Sequence, residues 1–363
     1  MGKKNILFVC PNVVDPNLGG IERVTDVLAK YLKSYGYKVV FLSVNTVPQP
    51  PYEYAAEQYV LNKSNDVAHV YEIIKKHNIS IVINQNVLSS CSLLTHLPSD
   101  IKIITVMHDS KYAMYSRLKF NILRRWRWKH IVCKEMKKAY DVSDRIVLFV
   151  PEFIKEFQYF YKKANKDKFA IIPNFNSYDN VNICPKENRL LWVGRHAEMH
   201  KRTTDILKIW AKLEDDFPQW SIDVLGDGPD GAMVRKLHDE LGLKRCNICG
   251  IQDPKQFYEK AAILCMTSSF ESFGMVLTEG MQHGCVPIAY DSYTAVRHII
   301  HDENDGVLVK PFEIDEYANK LALLMGNKLL RENLSTAAIK SVKQYDAQMI
   351  MPKWIELLES VCE

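Results

Sequence analysis

Short runs of consecutive apolar residues alternate along the chain with segments in which apolar residues recur every three or four positions. The runs are typical of buried β-strands, and the periodic segments are typical of amphipathic helices. Strands are predicted at 5–10, 38–44, 79–84, 101–107, 145–150, 168–172, 190–193, 221–225, 247–250, 263–266, 286–289 and 306–309. Helices are predicted at 21–35, 203–213, 274–283, 316–325, 328–342 and 347–359.

Strands that alternate with helices predict an α/β fold with parallel sheets built from right-handed β-α-β units. The alternation runs in two series, separated by a segment rich in Asn, Ser and Asp at 174–182. We therefore expect two Rossmann-like domains that face each other across a cleft, at 1–183 and 184–345. Ligands of such sheets bind beyond the carboxyl ends of the strands, so the informative residues are those that directly follow a strand.

Composition places the chain among ordinary globular proteins. Of its 363 residues, 47% are hydrophobic and 25% are charged, which excludes a disordered chain or a disulfide scaffold. Residues 1–183 carry 26 basic and 16 acidic side chains, and the remainder carries 21 and 27, so the two domains differ in the sign of their charge. Opposite charges indicate different partners.

The number of cysteines and the length of the apolar runs indicate the cellular compartment of the protein. Nine cysteines, an odd number, are scattered through the chain, which favours a reducing environment. Cys246 and Cys249 form a C-x-x-C pair without further zinc ligands at a suitable spacing, so we read them as two unrelated thiols. The sequence shows neither a bilayer-crossing segment nor a secretory signal. We expect a cytoplasmic protein.

The first strand is followed by a loop with paired glycines, Gly19 and Gly20, which opens a predicted helix. Glycines let a ligand approach the backbone closely, and a helix start offers free N–H groups to a phosphate or to sugar hydroxyls. A tight turn explains the glycines equally well. The spacing is not G-x-G-x-x-G, which disfavours a nicotinamide cofactor.

Cations and glycines follow two strands of the second series. Arg195 and Lys201 come after the strand at 190–193, and the turn at 226–229, which contains Gly228, follows the strand at 221–225. An arginine fork and a lysine point charge suit a diphosphate leaving group, although solvated surface cations are the alternative.

The segment with the most specific pattern runs from Phe270 to Glu279. If the span between Glu271 and Glu279 is mostly helical, their backbones lie about 12 Å apart. Carboxylates that share one bond-breaking step lie ~5–9.5 Å apart, so these two suit opposite ends of one elongated ligand. The backbone N–H groups of Phe273, Gly274, Met275 and Val276 would lie between them, aimed at phosphates. A nucleotide-sugar offers sugar hydroxyls, a diphosphate and ribose hydroxyls in the same order.

At this point the chain resembles glycosyltransferase family 4, whose members are retaining enzymes of the GT-B architecture. The carriers of the resemblance are the Gly-Gly-Ile-Glu loop, the Ile-Pro-Asn at 172–174, the Val-Gly-Arg…Lys segment, the Gly-Asp-Gly-Pro turn and the Glu-x7-Glu segment. It implies that Glu271 lies by the donor sugar, that Glu279 holds the ribose and that Arg195 and Lys201 neutralise the diphosphate. Arginine and lysine are six apart here and five apart in the family. A one-residue insertion accounts for this, with Arg202 as the alternative to Lys201.

The resemblance also assigns residues in the first domain. It implies that Gly19 and Gly20 approach the donor, and that His108 faces the donor sugar and the acceptor. Glu22 and Asp109 are then candidate acceptor contacts. It further implies that a C-terminal helix, at 346–363, crosses back to pack on the first domain.

No Asp-x-Asp pair of the kind that holds a divalent ion in other sugar transferases occurs in the chain. Arg195, Lys201 and helix starts supply positive charge instead, so we expect neither a metal nor another cofactor. Because fixed cations can stabilise the departing diphosphate, the sequence predicts a metal-independent glycosyltransferase of the hexosyl or N-acetylhexosaminyl type.

Residues 111–138 contain ten Lys or Arg and one acidic residue, interleaved with tryptophans and aliphatic residues. This pattern favours an anionic membrane surface, such as the inner face of the cytoplasmic membrane. A solvated basic helix is the alternative. Nucleic acid is disfavoured because no recognised motif accompanies the patch.

Three hypotheses for the function follow. The first is a transferase that moves a sugar from a UDP-sugar to a glycan or a lipid-linked glycan in polysaccharide biosynthesis. The second is a nucleotide-sugar epimerase or hydrolase, which would act without an acceptor. The third is a nucleotide-sugar-binding protein without turnover.

Overall fold

The computed structural model describes residues 4–16, 19–44, 56–61, 66–85, 91–108, 110–117, 122–179 and 181–362. The chain divides into two compact units, Met1–Ser177 together with Ala347–Glu363, and Tyr178–Asp346. The division falls inside the Asn-rich segment at 174–182, a few residues before the expected boundary at 183. The C-terminal residues group with the first unit.

The first unit contains a seven-stranded parallel sheet in the order β3-β2-β1-β4-β5-β6-β7. Its strands are β1 (Asn5–Cys10), β2 (Lys38–Ser43), β3 (Glu57–Val60), β4 (Ile79–Gln85), β5 (Lys102–Val106), β6 (Arg145–Leu148) and β7 (Phe169–Ile171). Its helices are α1 (Gly20–Ser34), α2 (Val67–His77), α3 (Cys91–Leu94), α4 (Lys111–Arg117), α5 (Ile122–Val142) and α6 (Phe153–Phe160).

The second unit contains a six-stranded parallel sheet in the order β10-β9-β8-β11-β12-β13. Its strands are β8 (Glu187–Val193), β9 (Ser221–Leu225), β10 (Cys246–Gly250), β11 (Ala261–Met266), β12 (Val286–Tyr290) and β13 (Val307–Val309). Its helices are α7 (Glu198–Lys201), α8 (Thr203–Ala211), α9 (Gly231–Leu241), α10 (Lys255–Lys260), α11 (Met275–Gln282), α12 (Val296–Ile299), α13 (Ile314–Gly326) and α14 (Lys328–Ser341). The last helix, α15 (Ala347–Ser360), belongs to the first unit.

Both sheets have the strand order expected of a doubly wound fold. In each sheet the order in which successive strands are added changes direction beside the first strand. The reversal lies between β1 and β4 in the first unit and between β8 and β11 in the second. At such a point the loops that follow the two strands diverge to opposite faces and leave room for a ligand. The reversals therefore select the loops after β1, β4, β8 and β11 as the candidate sites.

Burial of apolar strand residues explains why these runs form central strands. In β11 every residue is buried, and β8 contributes Leu190 and Trp192 to the same core, while Leu191 is buried as well. Helix α8 covers that sheet with Ile206 and Trp210, neither of which is exposed. Parallel strands that are buried on both faces consist of continuous apolar runs, and this pattern made them predictable from the sequence.

The predicted fold class, two parallel Rossmann-like sheets in an α/β protein, is confirmed. Strand β3 was not predicted, because its sequence, EQYV, has only partly buried residues after an exposed glutamate and lies at the edge of the sheet. No helix in the described part of the chain combines the length and apolar character needed to cross a bilayer.

Candidate active site

The loops that follow β8 and β11 are tied together by hydrogen bonds. The Ser269 amide donates to the His200 carbonyl over 2.7 Å, and the Thr267 hydroxyl donates to the Lys201 carbonyl over 3.0 Å. The Trp192 indole in turn donates to the Thr267 hydroxyl over 3.0 Å. These bonds bring the cationic loop and the acidic loop of the second unit to one place at the sheet reversal.

Lys201 and Glu271 meet there. The Lys201 Nζ atom donates to Glu271 Oε1, and both side chains are largely buried. The His200 ring stacks on Phe270, with centroids 4.4 Å apart, and its Nε2 lies 3.7 Å from Glu271 Oε2. Burial raises the pKa of the Glu271 carboxyl, but the cations of Lys201 and His200 outweigh burial, so its pKa is lowered overall. Glu271 is therefore ionised at neutral pH.

The alternative to Lys201 has a different partner. Arg202 occupies the left-handed region at φ 48, and its Nε donates to Asp205 over 2.6 Å. Its guanidinium also lies over the Phe312 ring, 4.4 Å from the centroid. Of the two cations it is Lys201 that contacts Glu271.

Arg195 lies exposed at the start of the same loop. Within the described residues its guanidinium makes no ion pair, unlike the side chains of Lys201 and Arg202. The turn that follows β9 packs against it: a Cβ at Gly228 would lie 3.0 Å from Arg195 Cγ and 2.5 Å from the His196 carbonyl oxygen. Gly228 is thus required for the close approach of the two loops, and Arg195 is left available to an anion.

His196, the residue between these loops, behaves as a core side chain. It is fully buried and lies 5.8 Å from the Trp192 ring, centroid to centroid. Burial lowers its pKa, so the ring is neutral at physiological pH. Its amide donates to the Asp227 carbonyl and its carbonyl accepts from the Asp230 amide, both over 3.0 Å. The backbone of His196 therefore holds the two loops in register.

The segment from Glu271 to Glu279 is helical only in its second half, so it is not the mostly helical span on which the estimate of about 12 Å depends. Gly274 adopts φ 106 as the N-cap, and the helix begins at Met275, so 271–274 are not helical. The first amides of a helix have no partner inside it, which leaves Met275 and Val276 directed out of the helix start. Phe273 is buried against Tyr345 and anchors the turn. The expected order of carboxylate, amides and carboxylate is kept along the chain, but the separation of about 12 Å assumed for a helix does not apply.

Glu279, one turn into α11, is buried, and its Oε2 accepts a hydrogen bond from the Tyr258 hydroxyl over 3.0 Å. A buried carboxylate requires such donors, because its removal from water is otherwise costly. Sequence reasoning missed Tyr258, since its helix, α10, is short and carries no motif. The local signal was only an apolar pair, Phe257 and Tyr258, ahead of β11.

In the first unit the paired glycines lie at the start of α1. A Cβ at Gly19 would lie 2.8 Å from Glu22 Oε2, whereas one at Gly20 would meet nothing within 4 Å. Glu22 is buried and accepts a hydrogen bond from Asn12 Nδ2 over 3.0 Å. Gly19 therefore makes room for a carboxylate of its own chain. Asn17 and Leu18 of the same loop lie outside the described residues.

His108 follows β5 and is buried. Its Nε2 lies 2.5 Å from the Gln85 side-chain oxygen at the end of the neighbouring strand β4, and its ring packs on Phe149. Because an amide oxygen only accepts, this contact places the proton of a neutral His108 on Nε2. Gln85 was missed by the sequence analysis, although it ends the strand next to the one that His108 follows. Asp109 lies outside the described residues.

Among the described residues, no three or more His, Cys, Asp or Glu side chains are placed to hold a metal ion. Cys246 and Cys249 both lie in β10 as free thiols, and burial raises the pKa of Cys246 to about 12. A thiol with a raised pKa stays protonated at neutral pH and is a poor nucleophile.

Two family models together match nearly the whole chain. The model described as "Glycosyltransferase Family 4" matches residues 18–175, and the one described as "Glycosyl transferases group 1" matches residues 176–341. The chain belongs to glycosyltransferase family 4. Its fold is the GT-B fold of that family.

Similar proteins cover the chain from end to end. An uncharacterized glycosyltransferase of Haemophilus influenzae is 23% identical over 98% of this chain and 100% of its own length. The amylovoran biosynthesis glycosyltransferase AmsD of Erwinia amylovora is 25% identical over 94% of this chain and 96% of its own. The crystal structure of Anabaena HepE in complex with UDP-glucose superposes with a TM-score of 0.78 at 15% identity, covering 98% of this chain and 100% of that one. This family 4 member is thus a glycosyltransferase of glycan or polysaccharide biosynthesis.

Proposed function

We propose that this enzyme is a retaining transferase that moves a hexosyl or N-acetylhexosaminyl group from a UDP-sugar to a glycan or a lipid-linked glycan. The observation that carries the proposal is the contact of Lys201 with the ionised Glu271 beside the start of α11. A buried cation, a buried carboxylate and outward-directed amides together match a ligand with hydroxyls and a diphosphate. The likeness to a protein crystallised with UDP-glucose supports uracil as the base of the nucleotide.

In this proposal the site residues of the second unit bind different parts of the donor. Arg195, Lys201 and the amides of Met275 and Val276 hold the diphosphate, Glu271 orients the sugar and Glu279 accepts the ribose hydroxyls. Phe273, Gly274 and Gly228 shape the backbone around it. In the first unit, Gly19 and Gly20 provide close approach to the donor, His108 contacts the transferred sugar and Glu22 and Asp109 contact the acceptor.

The chemistry then needs no enzymatic nucleophile. The bond from the anomeric carbon to the diphosphate oxygen breaks, and the acceptor hydroxyl forms its bond on the same face. Because the new bond forms on the face that the diphosphate leaves, the configuration is retained, and the departing phosphate oxygen takes the hydroxyl proton. Arg195 and Lys201 stabilise the negative charge that develops on the diphosphate, which is the part of the reaction a metal ion serves elsewhere. We therefore propose metal-independent transfer without a cofactor.

A donor screen tests this function. UDP is expected to raise the melting temperature more than GDP or ADP, with added stability of about 2.7 kcal/mol at 100 times its dissociation constant. Incubation of UDP-sugars with a glycan acceptor, in the presence of EDTA, is expected to yield UDP and an elongated product of retained configuration. Product formed from donor alone would indicate an epimerase or a hydrolase, and nucleotide binding without turnover would indicate a binding protein.

A second part of the proposal concerns a surface on helix α5, defined by Ile122, Leu123, Trp126 and Ile131. These apolar side chains are exposed, Leu123 by 75% and Trp126 by 67%. Basic side chains surround them, and two are held in place: Arg125 lies 4.6 Å from the Tyr115 ring centroid and Lys129 lies 4.2 Å from that of Tyr159. We propose that the α5 surface binds an anionic membrane peripherally, where apolar side chains insert and cations meet the headgroups.

Vesicle flotation tests the α5 surface. The protein is expected to float with phosphatidylglycerol-containing vesicles at moderate salt and not with phosphatidylcholine vesicles. Leu123→Ser is expected to weaken binding by about tenfold or more, because burial of one leucine contributes roughly 1.5–3 kcal/mol. Leu329→Ser is the matched control, since Leu329 is 67% exposed in the second unit. Absence of the wild-type protein from the floating anionic fraction would contradict the proposal, as would equal losses in the two variants.

A further inference from the structure

Helix α10 places one tyrosine against the acidic end of helix α11. Tyr258 is fully buried, and its hydroxyl donates to Glu279 Oε2 over 3.0 Å, while Glu279 is only 2% exposed. A distance of 3.0 Å between two oxygen atoms is within hydrogen-bond range, and a carboxyl group that is buried away from water needs such a donor. The Tyr258 hydroxyl is therefore a fixed point for the orientation of this carboxylate.

The tyrosine ring is itself held on both sides. It stacks on His283, with ring centroids 5.5 Å apart, and meets the edge of Tyr178 at 6.3 Å. His283 lies one turn beyond Glu279, and its Nδ1 lies 2.8 Å from the Glu279 carbonyl oxygen. Burial lowers the pKa of His283, so its ring packs as a neutral group.

The backbone of Tyr258 is fixed as well. Its carbonyl oxygen accepts from Lys186 Nζ over 2.7 Å and from Cys285 Sγ over 3.2 Å. A side chain with a stacked ring and a bonded backbone cannot turn to follow a moving partner. The geometry thus makes Glu279 conform to Tyr258 rather than the reverse.

We propose that Tyr258 is a positioning residue that orients the Glu279 carboxylate for the ribose of the nucleotide, and so sets the preference for ribonucleotides over deoxyribonucleotides. The proposal rests on the ribose-binding role proposed above for Glu279. A vicinal diol binds a carboxylate well only in a narrow range of orientations, because two hydroxyls must donate at once. Without the tyrosine hydroxyl the carboxylate loses one fixed donor, so it is held less closely in that orientation and the second ribose hydroxyl contributes less to binding.

The test compares the affinities of UDP, GDP and ADP with those of their 2′-deoxy analogues by calorimetry. For whichever base binds, the wild type is expected to prefer the ribonucleotide by about tenfold or more, the size expected where a buried polar group loses its partner. Tyr258→Phe keeps the stacked ring and removes only the hydroxyl. It is expected to reduce the ratio of ribonucleotide affinity to deoxyribonucleotide affinity to threefold or less, because only the binding of the ribonucleotide becomes weaker. Glu279→Gln is expected to narrow it as well.

Tyr317→Phe is the matched control. Tyr317 is also fully buried in the second unit, and its hydroxyl donates to the Ile288 carbonyl over 2.8 Å and accepts from the Met266 amide. Loss of the Tyr317 hydroxyl is expected to lower stability as loss of the Tyr258 hydroxyl does, and the melting temperatures show whether both variants are folded. In Tyr317→Phe the ratio of ribonucleotide affinity to deoxyribonucleotide affinity is expected to stay at the wild-type value.

The outcomes separate the two proposals. A wild type without preference for the ribonucleotide overturns the role of Glu279 and, with it, that of Tyr258. A preference that Glu279→Gln abolishes and Tyr258→Phe retains overturns the role of Tyr258 alone. Equal narrowing in Tyr258→Phe and Tyr317→Phe also overturns it, because the effect would then follow any loss of a buried hydroxyl.

Discussion

Glu271→Gln is expected to lower kcat/KM for the donor by about 10²–10³-fold, the effect of removing one preorganised electrostatic group from an active site. The substitution keeps the shape of the side chain and removes its charge. Glu271 is ionised, it contacts Lys201 and His200 lies 3.7 Å from its second oxygen, so the amide leaves two basic groups without their counter-charge. Steady-state kinetics with varied UDP-sugar measure the loss.

Glu214→Gln is the control for the loss of a buried carboxylate. Glu214 is also buried, and it accepts hydrogen bonds from the Lys244 and Arg245 amides just before β10, at the edge of the sheet opposite to the site. It is expected to lower the melting temperature and to leave kcat/KM unchanged. Equal kinetic effects of the two substitutions would contradict the role of Glu271.

The lowered pKa of Glu271 also fixes the sign of a pH effect. A carboxyl whose pKa is lower in the folded than in the unfolded state stabilises the protein above its ordinary pKa, and that stabilisation is lost as the pH falls through the lowered value. The difference in melting temperature between the wild type and Glu271→Gln is thus expected to shrink in the acid range, as the pH falls below the ordinary pKa of a carboxyl and through the lowered value.

Gly226→Ala is expected to produce the largest loss of stability. Gly226 adopts φ 120 directly after β9, and a Cβ there would lie 1.9 Å from the Gly194 carbonyl oxygen, so the backbone of the loop before Arg195 must move. Backbone strain and a steric clash together are expected to cost about 4 kcal/mol or more, near the upper end for single substitutions. For a unit of this size that corresponds to a fall in the melting temperature of roughly 10 °C.

Gly242→Ala separates strain from the clash. Gly242 also has a positive φ, 64, but a Cβ there would meet nothing within 4 Å. Only the left-handed backbone opposes the substitution, at a cost of about 1–2 kcal/mol. Calorimetric melting of both variants is the measurement, and similar losses would contradict the interlocking of the two loops after β8 and β9.

Sequence patterns were sufficient for both sheets except the edge strand β3, and for the order of the loops that follow the strands. Apolar runs such as 5–10 and 263–266 indicate burial on both faces, and cations and carboxylates directly after strands indicate the ligand-binding edge of the sheet. Contacts between distant segments left no such signal. Tyr258 and Gln85 reach Glu279 and His108 only through the fold, from a short helix without a motif and from the end of a neighbouring strand.

The local backbone was also beyond the sequence pattern. The helix predicted from 274 begins at Met275, but the sequence did not indicate that Gly274 takes φ 106, so the separation of about 12 Å estimated for a mostly helical span between Glu271 and Glu279 does not apply. The assignment to Lys201 rather than Arg202 likewise depended on the left-handed turn at Arg202, which turns that guanidinium towards Asp205 and Phe312.

The central claim is that Glu271 and Glu279 bind the two ends of one donor molecule. A crystal structure of the protein with a non-hydrolysable UDP-sugar tests it most directly. The account predicts ribose hydroxyls within hydrogen-bond distance of Glu279, the diphosphate on Arg195, Lys201 and the Met275 and Val276 amides, and the sugar beside Glu271. A bound donor that contacts only one of the two carboxylates, or that leaves the start of α11 without a phosphate, would contradict it.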